Sequence, residues 1–194
     1  MILPEHLVER FAECLEAARK AGEIEPTAMT LATLAHDGGV AARMVLLKDF
    51  GTEGFVFYTN LESSKGRQLE ANPRVALVFF WKTTKVQVRI EGRVERVSDA
   101  EADAYFATRD RGSQLGAWAS QQSRPLRNRA ELIKRVARFE ARYLGRPVPR
   151  PPHWSGLRVR AEMIEFWHGR KSRLHDRFRF TPGPEGWIEE RLYP

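Results

Sequence analysis

Between residues 5 and 20, apolar side chains fall at Leu7, Phe11, Cys14, Leu15 and Ala18. Steps of three and four predict an amphipathic helix. The period then shortens to two. "EPTAMTLATLA" and "VAARMVLLKDF" read as strands around "HDGG", a hairpin signal, and "FVFYTN" follows the turn "FGTEG". "SSKGRQLEANP" reads as a short helix with Ser63, Ser64 and Lys65 in its first turn. "RVALVFFW" and "KVQVRIEGRVERV" predict another strand pair around a short polar turn.

"SDAE" at residues 98–101 matches a capping box and opens a helix through about Phe106. "RNRAELIKRVARFEARY" predicts a second long helix with Leu132, Ile133, Val136 and Phe139 on its apolar face. "LGRPVPRPPHWSG", with four prolines, reads as a loop. "LRVRAEMIEFW", "RLHDRFRF" and "WIEERL" predict the closing strands, the last two joined by a "TPGPEG" turn. About seven strands with mostly short turns imply antiparallel pairing. The expected fold is therefore α+β and mainly β, a barrel or sandwich with helices inserted, in one domain over residues 1–194.

Composition narrows the class. At 42% hydrophobic and 29% charged, the 194-residue chain has the balance of a globular domain with a real core. No apolar run approaches the roughly 18 residues a membrane span needs, and the N-terminus carries no pattern of a secretion signal. One cysteine, Cys14, excludes an internal disulfide and fits a reducing cytoplasm; its place on the helix's apolar face makes it core filler. One cysteine and five dispersed histidines do not make a zinc set, so no metal is expected. The net charge of +7 invites a nucleic-acid reading, but the cations are scattered, and a phosphorylated small molecule would favour a basic site equally.

Several short stretches carry more chemistry. In "RMVLLKD", strand parity puts Arg43, Val45 and Leu47 on one face and Met44, Leu46 and Lys48 on the other. "YTN..SSKG" joins hydroxyls, a lysine and free backbone N–H groups at a helix start, the makings of an anion site. "GAWASQQS" supplies Gln121, Gln122 and Ser123 beyond Trp118, and "EFWHGR" places Trp167 just before "RLHDRFRF". Read as a strand, that last stretch gathers Arg173, His175, Arg177 and Arg179 on one side. Together these residues offer phosphate donors, amides for a heteroaromatic ring and tryptophans to wall it, a set suited to a flavin or another phosphorylated aromatic cofactor.

These stretches carry a resemblance. "RMVLLK", "FYTN", "SSKG", "QVRIEG", "GAWASQQS", "HWSG", "EFW" and "RLHDRF" occur in the order found in pyridoxine/pyridoxamine 5′-phosphate oxidases, over nearly the whole chain. The resemblance implies an FMN-binding split β-barrel with flanking helices, and a homodimer with the cofactors at the subunit interface. It implies that FMN is met by Arg43, Met44, Val45, Leu46, Leu47 and Lys48, with Arg43 at the phosphate. Tyr58, Thr59, Ser64, Lys65, Gln87, Gln122, Ser123, Trp167 and Arg177 complete that set, Lys65 as a second phosphate cation and Gln87 at the isoalloxazine ring. Lys48, Tyr105, Arg109 and Ser113 correspond to the substrate-phosphate group, and Arg173 and His175 to the catalytic pair facing the pyridoxal ring. The implied reaction converts pyridoxine 5′-phosphate or pyridoxamine 5′-phosphate to pyridoxal 5′-phosphate in the cytoplasm, reducing O2 to H2O2, without nucleic acid or membrane.

Two departures accompany it. The family often has a basic residue where this chain has Ser64, and many members carry an N-terminal extension that closes over the substrate. The competing readings are a phenazine-pathway oxidase, a non-catalytic flavin or haem module of the same barrel, and a basic RNA-binding β-domain. The phosphate set, the Arg173 and His175 pair, and the apolar parity of most aromatics argue against each in turn.

Overall fold

The structure, a computed structural model, describes residues 2–194. Helix α1 (Glu5–Lys20) starts after Pro4, whose fixed φ and missing N–H suit a helix start. It buries Leu7, Phe11, Leu15 and Ala18, as its spacing predicts. Phe11 is the hub of the core: the rings of Phe50, Phe55 and Phe79 meet it edge-on at 4.9, 5.0 and 5.1 Å. Cys14 is half-buried against the same cluster, and burial raises its thiol pKa. The filler reading fits.

Nine strands form one antiparallel sheet among the described residues. They are β1 (Ala28–Leu34), β2 (Val40–Leu46), β3 (Asp49–Gly51), β4 (Gly54–Asn60), β5 (Arg74–Trp81), β6 (Val86–Arg96), β7 (Trp154–His168), β8 (Asp176–Gly183) and β9 (Gly186–Leu192). The path runs β2-β1-β5-β6-β7-β4-β3, and β8 and β9 extend from β7. The 15-residue β7 explains the split. Along one edge it pairs with β6; along the other its first half holds β4 and its last residues hold β8. The sheet does not close, and α1 packs its apolar face into the core against it. Opposite Glu91/Gly92 the register skips Glu162, a bulge on β7. There a Cβ on Gly92 would stand 2.0 Å from the Arg160 carbonyl oxygen, so only glycine fits.

Four elements differ from the sequence expectation. The strand expected to run on through "LLKDF" ends at Leu46, and β3 pairs with β4 instead. "RGSQLGAWA" forms an unforeseen helix, α4 (Arg111–Ala119), capped by the Asp110 carboxylate accepting from the Ser113 N–H at 2.8 Å. Gly112 and Gly116 had hidden it, since glycine disfavours helix. Helix α5 (Arg129–Arg142) exists, but none of its residues is buried; Ile133 is exposed, and Phe139 alone of the expected face packs on Trp118.

The fourth is "RLHDRFRF". The strand begins only at Asp176; residues 171–173 form a single 3-10 turn. Ser172 and Arg173 have φ of +55° and +62°, left-handed values that no strand accommodates. The Arg170 N–H donates to His175 Nδ1 at 3.1 Å, giving the backbone a local partner in place of a ladder. Arg173 and His175 therefore share no strand face with Arg177 and Arg179.

Candidate functional site

A cavity of about 720 Å³ opens where the ends of β2 and β4 meet α2 (Ser64–Ala71), α3 (Asp99–Thr108) and α4. That is an ordinary size for a cofactor site. Of the expected residues, Met44, Val45, Leu46, Lys48, Tyr58, Thr59, Lys65, Tyr105, Arg109, Ser113 and Gln122 line it.

At one end stands Lys65, in the first turn of α2. Ser63 caps that helix, its hydroxyl accepting from the Gly66 N–H. A Cβ on Gly66 would lie 2.0 Å from the Leu61 carbonyl oxygen, so glycine lets the turn seat closely enough to aim Lys65 inward. Lys65 Nζ donates to Gln122 Oε1 at 2.9 Å and to Thr59 Oγ1 at 3.2 Å. Burial, and then the Arg43 charge, lower the Lys65 pKa; burial also lowers that of Arg43. Arg43 does not line the cavity. Its guanidinium turns to neutral acceptors: Leu31 O at 3.2 Å, Thr33 Oγ1 at 2.6 Å and Gln68 Oε1 at 2.8 Å.

Another part of the lining is aromatic. Tyr58 stacks on Tyr105 at 3.9 Å and on Trp154 at 5.1 Å. Burial pushes the Tyr58 phenol up to about 12, aided by Glu101, and burial raises that of Tyr105, so both remain hydrogen-bond donors at neutral pH. Arg109, which ends α3, lies over Trp154 at 4.8 Å. Lys48 reaches the rim from the end of β2, where its N–H donates to the Val56 carbonyl. Among the described residues no carboxylate lies within ion-pair distance of Arg43, Lys48, Lys65 or Arg109. Arg43, Lys65 and Arg109 are partly buried with no ion-pair partner, an arrangement an anion would relieve, while Lys48 is exposed and Asp110 on the lining acts on Arg109 from beyond ion-pair distance.

The remaining expected residues lie elsewhere. Leu47 is 3% exposed and packs in the core, so its side chain cannot line the cavity. Ser64 and Ser123 are exposed outside it. Gln87, Trp167 and Arg177 form a row across β6, β7 and β8, set by the register Gln87↔Trp167↔Arg177. The His175 ring meets Trp167 at 4.5 Å. Arg177 Nε donates to Glu165 Oε1 at 2.8 Å, and Arg89 Nη1 donates to Glu165 Oε2 at 3.2 Å. Arg179 forms an exposed, solvated pair with Glu190 at 2.9 Å, and Asp176 takes Arg170 and Arg191. The chain thus presents two separate clusters: the cavity, and a row bordered by the Arg173–His175 turn.

Sequence reading missed Thr33, Gln68, Trp154 and Glu165. Gln68 had a signal, since it follows Lys65 by three residues and so shares its helix face. The buried Glu165 had none, because a charged residue in "MIEFW" reads as outward-facing. Among the described residues, no group of three or more His, Cys, Asp or Glu could hold a metal, and no helix is long and apolar enough to cross a membrane.

Comparison with known proteins places this geometry. Residues 12–143 match the profile of the family described as pyridoxamine 5′-phosphate oxidase. Residues 154–194 match that of the pyridoxine 5′-phosphate oxidase C-terminal dimerisation region. A pyridoxine/pyridoxamine 5′-phosphate oxidase of Myxococcus xanthus (strain DK1622) is 57% identical, covering 100% of this chain and 94% of that protein. One of Rubrobacter xylanophilus is 56% identical over 96% of this chain and 86% of its own length. Among solved structures, PhzG from Burkholderia lata 383, in complex with tetrahydrophenazine-1-carboxylic acid, superposes with a TM-score of 0.90. It is 30% identical and covers 100% of this chain and 94% of its own. A pyridoxamine 5′-phosphate oxidase-related FMN-binding protein from Nostoc punctiforme shares the fold, with a TM-score of 0.76 at 16% identity over 96% of each chain.

Proposed function

The chain belongs to the pyridoxine/pyridoxamine 5′-phosphate oxidase family, and from that premise we propose that it is an FMN-dependent oxidase converting pyridoxine or pyridoxamine 5′-phosphate to pyridoxal 5′-phosphate. One observation carries the reading: Lys65, Lys48 and Arg109 line the cavity, Arg43 backs Lys65 from outside it, and neither cation pair, Lys65 with Arg43 or Lys48 with Arg109, has a carboxylate within ion-pair reach. A phosphorylated cofactor and a phosphorylated substrate would neutralise one pair each.

The residues fit FMN. Arg43 and Lys65 would hold its phosphate, Val45, Leu46, Tyr58 and Thr59 would flank it, and the Gln87–Trp167–Arg177 row would meet its ring. FMN, if bound, would supply the two-electron acceptor for oxidation at the substrate's 4′ carbon, with O2 as the terminal oxidant reduced to H2O2. The chain supplies placement. Lys48 and Arg109 bind the substrate phosphate with the neutral donors Tyr105 and Ser113. The stack on Tyr58 and Trp154 fixes Tyr105. His175 accepts the Arg170 N–H at Nδ1, so its neutral ring carries its proton on Nε2 and donates to the substrate from there.

Arg173, His175 and Arg177 lie outside the cavity of their own chain. In this reading two copies, joined through the region matching a dimerisation segment, complete each site with one cluster apiece, in the cytoplasm. Coexpression of Arg109→Ala with Arg173→Ala tests this. Each variant alone should be strongly impaired, whereas mixed dimers hold one intact site in two and should recover about a quarter of parental turnover. No recovery, with dimers formed, would place both residues in a site within one chain.

A further inference from the structure

The strongest unassigned feature beside the cavity is a closed hydrogen-bond ring beneath its cationic end. Arg43 Nη1 donates to Thr33 Oγ1 at 2.6 Å. That hydroxyl donates in turn to Gln68 Oε1 at 2.8 Å, and Arg43 Nη2 donates to the same oxygen at 2.8 Å. Two donors converging on one atom identify it as the amide oxygen rather than the nitrogen. Thr33 is 3% exposed on β1, and Gln68 lies one helical turn beyond Lys65 on α2. The ring therefore ties a buried strand, the strand bearing Arg43 and the helix bearing Lys65 into one unit.

All its acceptors are neutral. Several other arginines that stand against the sheet find carboxylates: Arg89 and Arg177 share Glu165, Arg158 takes Glu101, and Arg160 takes Glu53 and Glu95. Arg43 instead keeps its full charge beside Lys65, in a chain where Ser64 supplies no neighbouring cation.

We propose that Gln68, supported by Thr33, is a positioning residue that holds the Arg43 guanidinium in place with uncharged acceptors, so that its charge stays available to a phosphate monoester. The proposal rests on the reading that Arg43 and Lys65 receive the FMN phosphate. A glutamate at this position would make the same bonds and cancel the charge. The amide is therefore required for its neutrality as much as for its shape.

The test compares FMN with riboflavin, which has the same ring system and no phosphate, by fluorescence titration of flavin-free protein. Gln68→Glu should lower FMN affinity on the order of ten- to a hundredfold, the worth of a charged hydrogen bond. Riboflavin affinity should be unchanged, and the flavin-free variant should melt at or above the parent temperature, because Arg43 gains a counter-ion. Gln68→Met, which removes the acceptor without adding charge, should lose FMN affinity less and again spare riboflavin. Equal losses for both ligands, or unchanged FMN affinity in both variants, would overturn the proposal. A parent protein that prefers FMN no more than riboflavin would instead overturn the phosphate reading beneath it.

Discussion

Replacing Lys65 with methionine removes one cation from the cavity and leaves the packing of its stem in place. In the flavin-free protein that cation contributes nothing favourable by charge, because burial and Arg43 lower its pKa. The sign follows from linkage. Between the lowered folded value and the ordinary lysine value the unfolded chain binds more protons, so stability rises with pH through that window and is lowest below it. Below the lowered value the folded state bears the whole penalty. Lys65→Met lifts it, at the loss of bonds to Gln122 and Thr59 at 2.9 and 3.2 Å. The flavin-free variant should therefore melt at or close to the parent temperature. FMN binding moves the other way. A charge-assisted hydrogen bond is worth about 1.5–3 kcal/mol, roughly ten- to a hundredfold in affinity, and Ser64 offers no substitute charge. In the parent, FMN affinity should fall as pH rises through the lowered Lys65 value, and in Lys65→Met that fall should vanish. Flavin fluorescence titrations across pH, with calorimetric melting of the flavin-free proteins, read both quantities. Unchanged affinity, or a loss of stability matching the loss of affinity, would mean that Lys65 does not serve as a phosphate cation.

Gly66→Ala drives a Cβ to 2.0 Å from the Leu61 carbonyl, which should cost about 1–3 kcal/mol in denaturant unfolding and displace Lys65; a neutral effect would mean the turn is not seated as described. Glu165→Ala leaves Arg177 and Arg89 without their shared carboxylate, itself 3% exposed. Because Arg89 is 36% exposed and can hydrate, the loss should fall below the roughly 3–5 kcal/mol of a broken fully buried pair, and chemical denaturation measures it. Arg173→Ala should lower turnover or substrate affinity with FMN retained, and Arg177→Ala should loosen FMN. Arg179→Ala should change stability by no more than about 1 kcal/mol, since it breaks only an exposed pair with Glu190; kinetics and FMN titration of the three separate these roles.

Much of this was legible in the sequence because it rests on local rules. The spacing of Leu7, Phe11, Leu15 and Ala18 gave α1, and Ser63 and Ser98 capped the helices their positions implied. The box at Ser98 closes on one side only: Glu101 turns its carboxylate to Arg158, a long-range partner that outcompetes the local one. The strand ending at Leu46 and the turn at Ser172 were missed for a related reason. Alternation persists past both points in the sequence, and only tertiary pairing and a left-handed backbone decide where a strand stops. The cavity's cations were readable as residue types, but their neutral support by Thr33 and Gln68 joins segments 35 residues apart. Nor does alternation reveal that Gln87, Trp167 and Arg177 stand in one row, which follows from register across three strands.

The most direct measurement is oxygen uptake by the FMN-loaded protein with pyridoxine 5′-phosphate, pyridoxamine 5′-phosphate and unphosphorylated pyridoxine, in the parent and in Lys48→Met and Arg109→Met. Uptake should be flavin-dependent with the phosphorylated compounds, producing H2O2 and pyridoxal 5′-phosphate. Uptake with pyridoxine should be small, and KM for the phosphorylated substrates should rise in both variants. Oxidation of pyridoxine as efficient as that of its phosphate, or no flavin-dependent uptake with any of the three, would rule out a phosphate-selective oxidase.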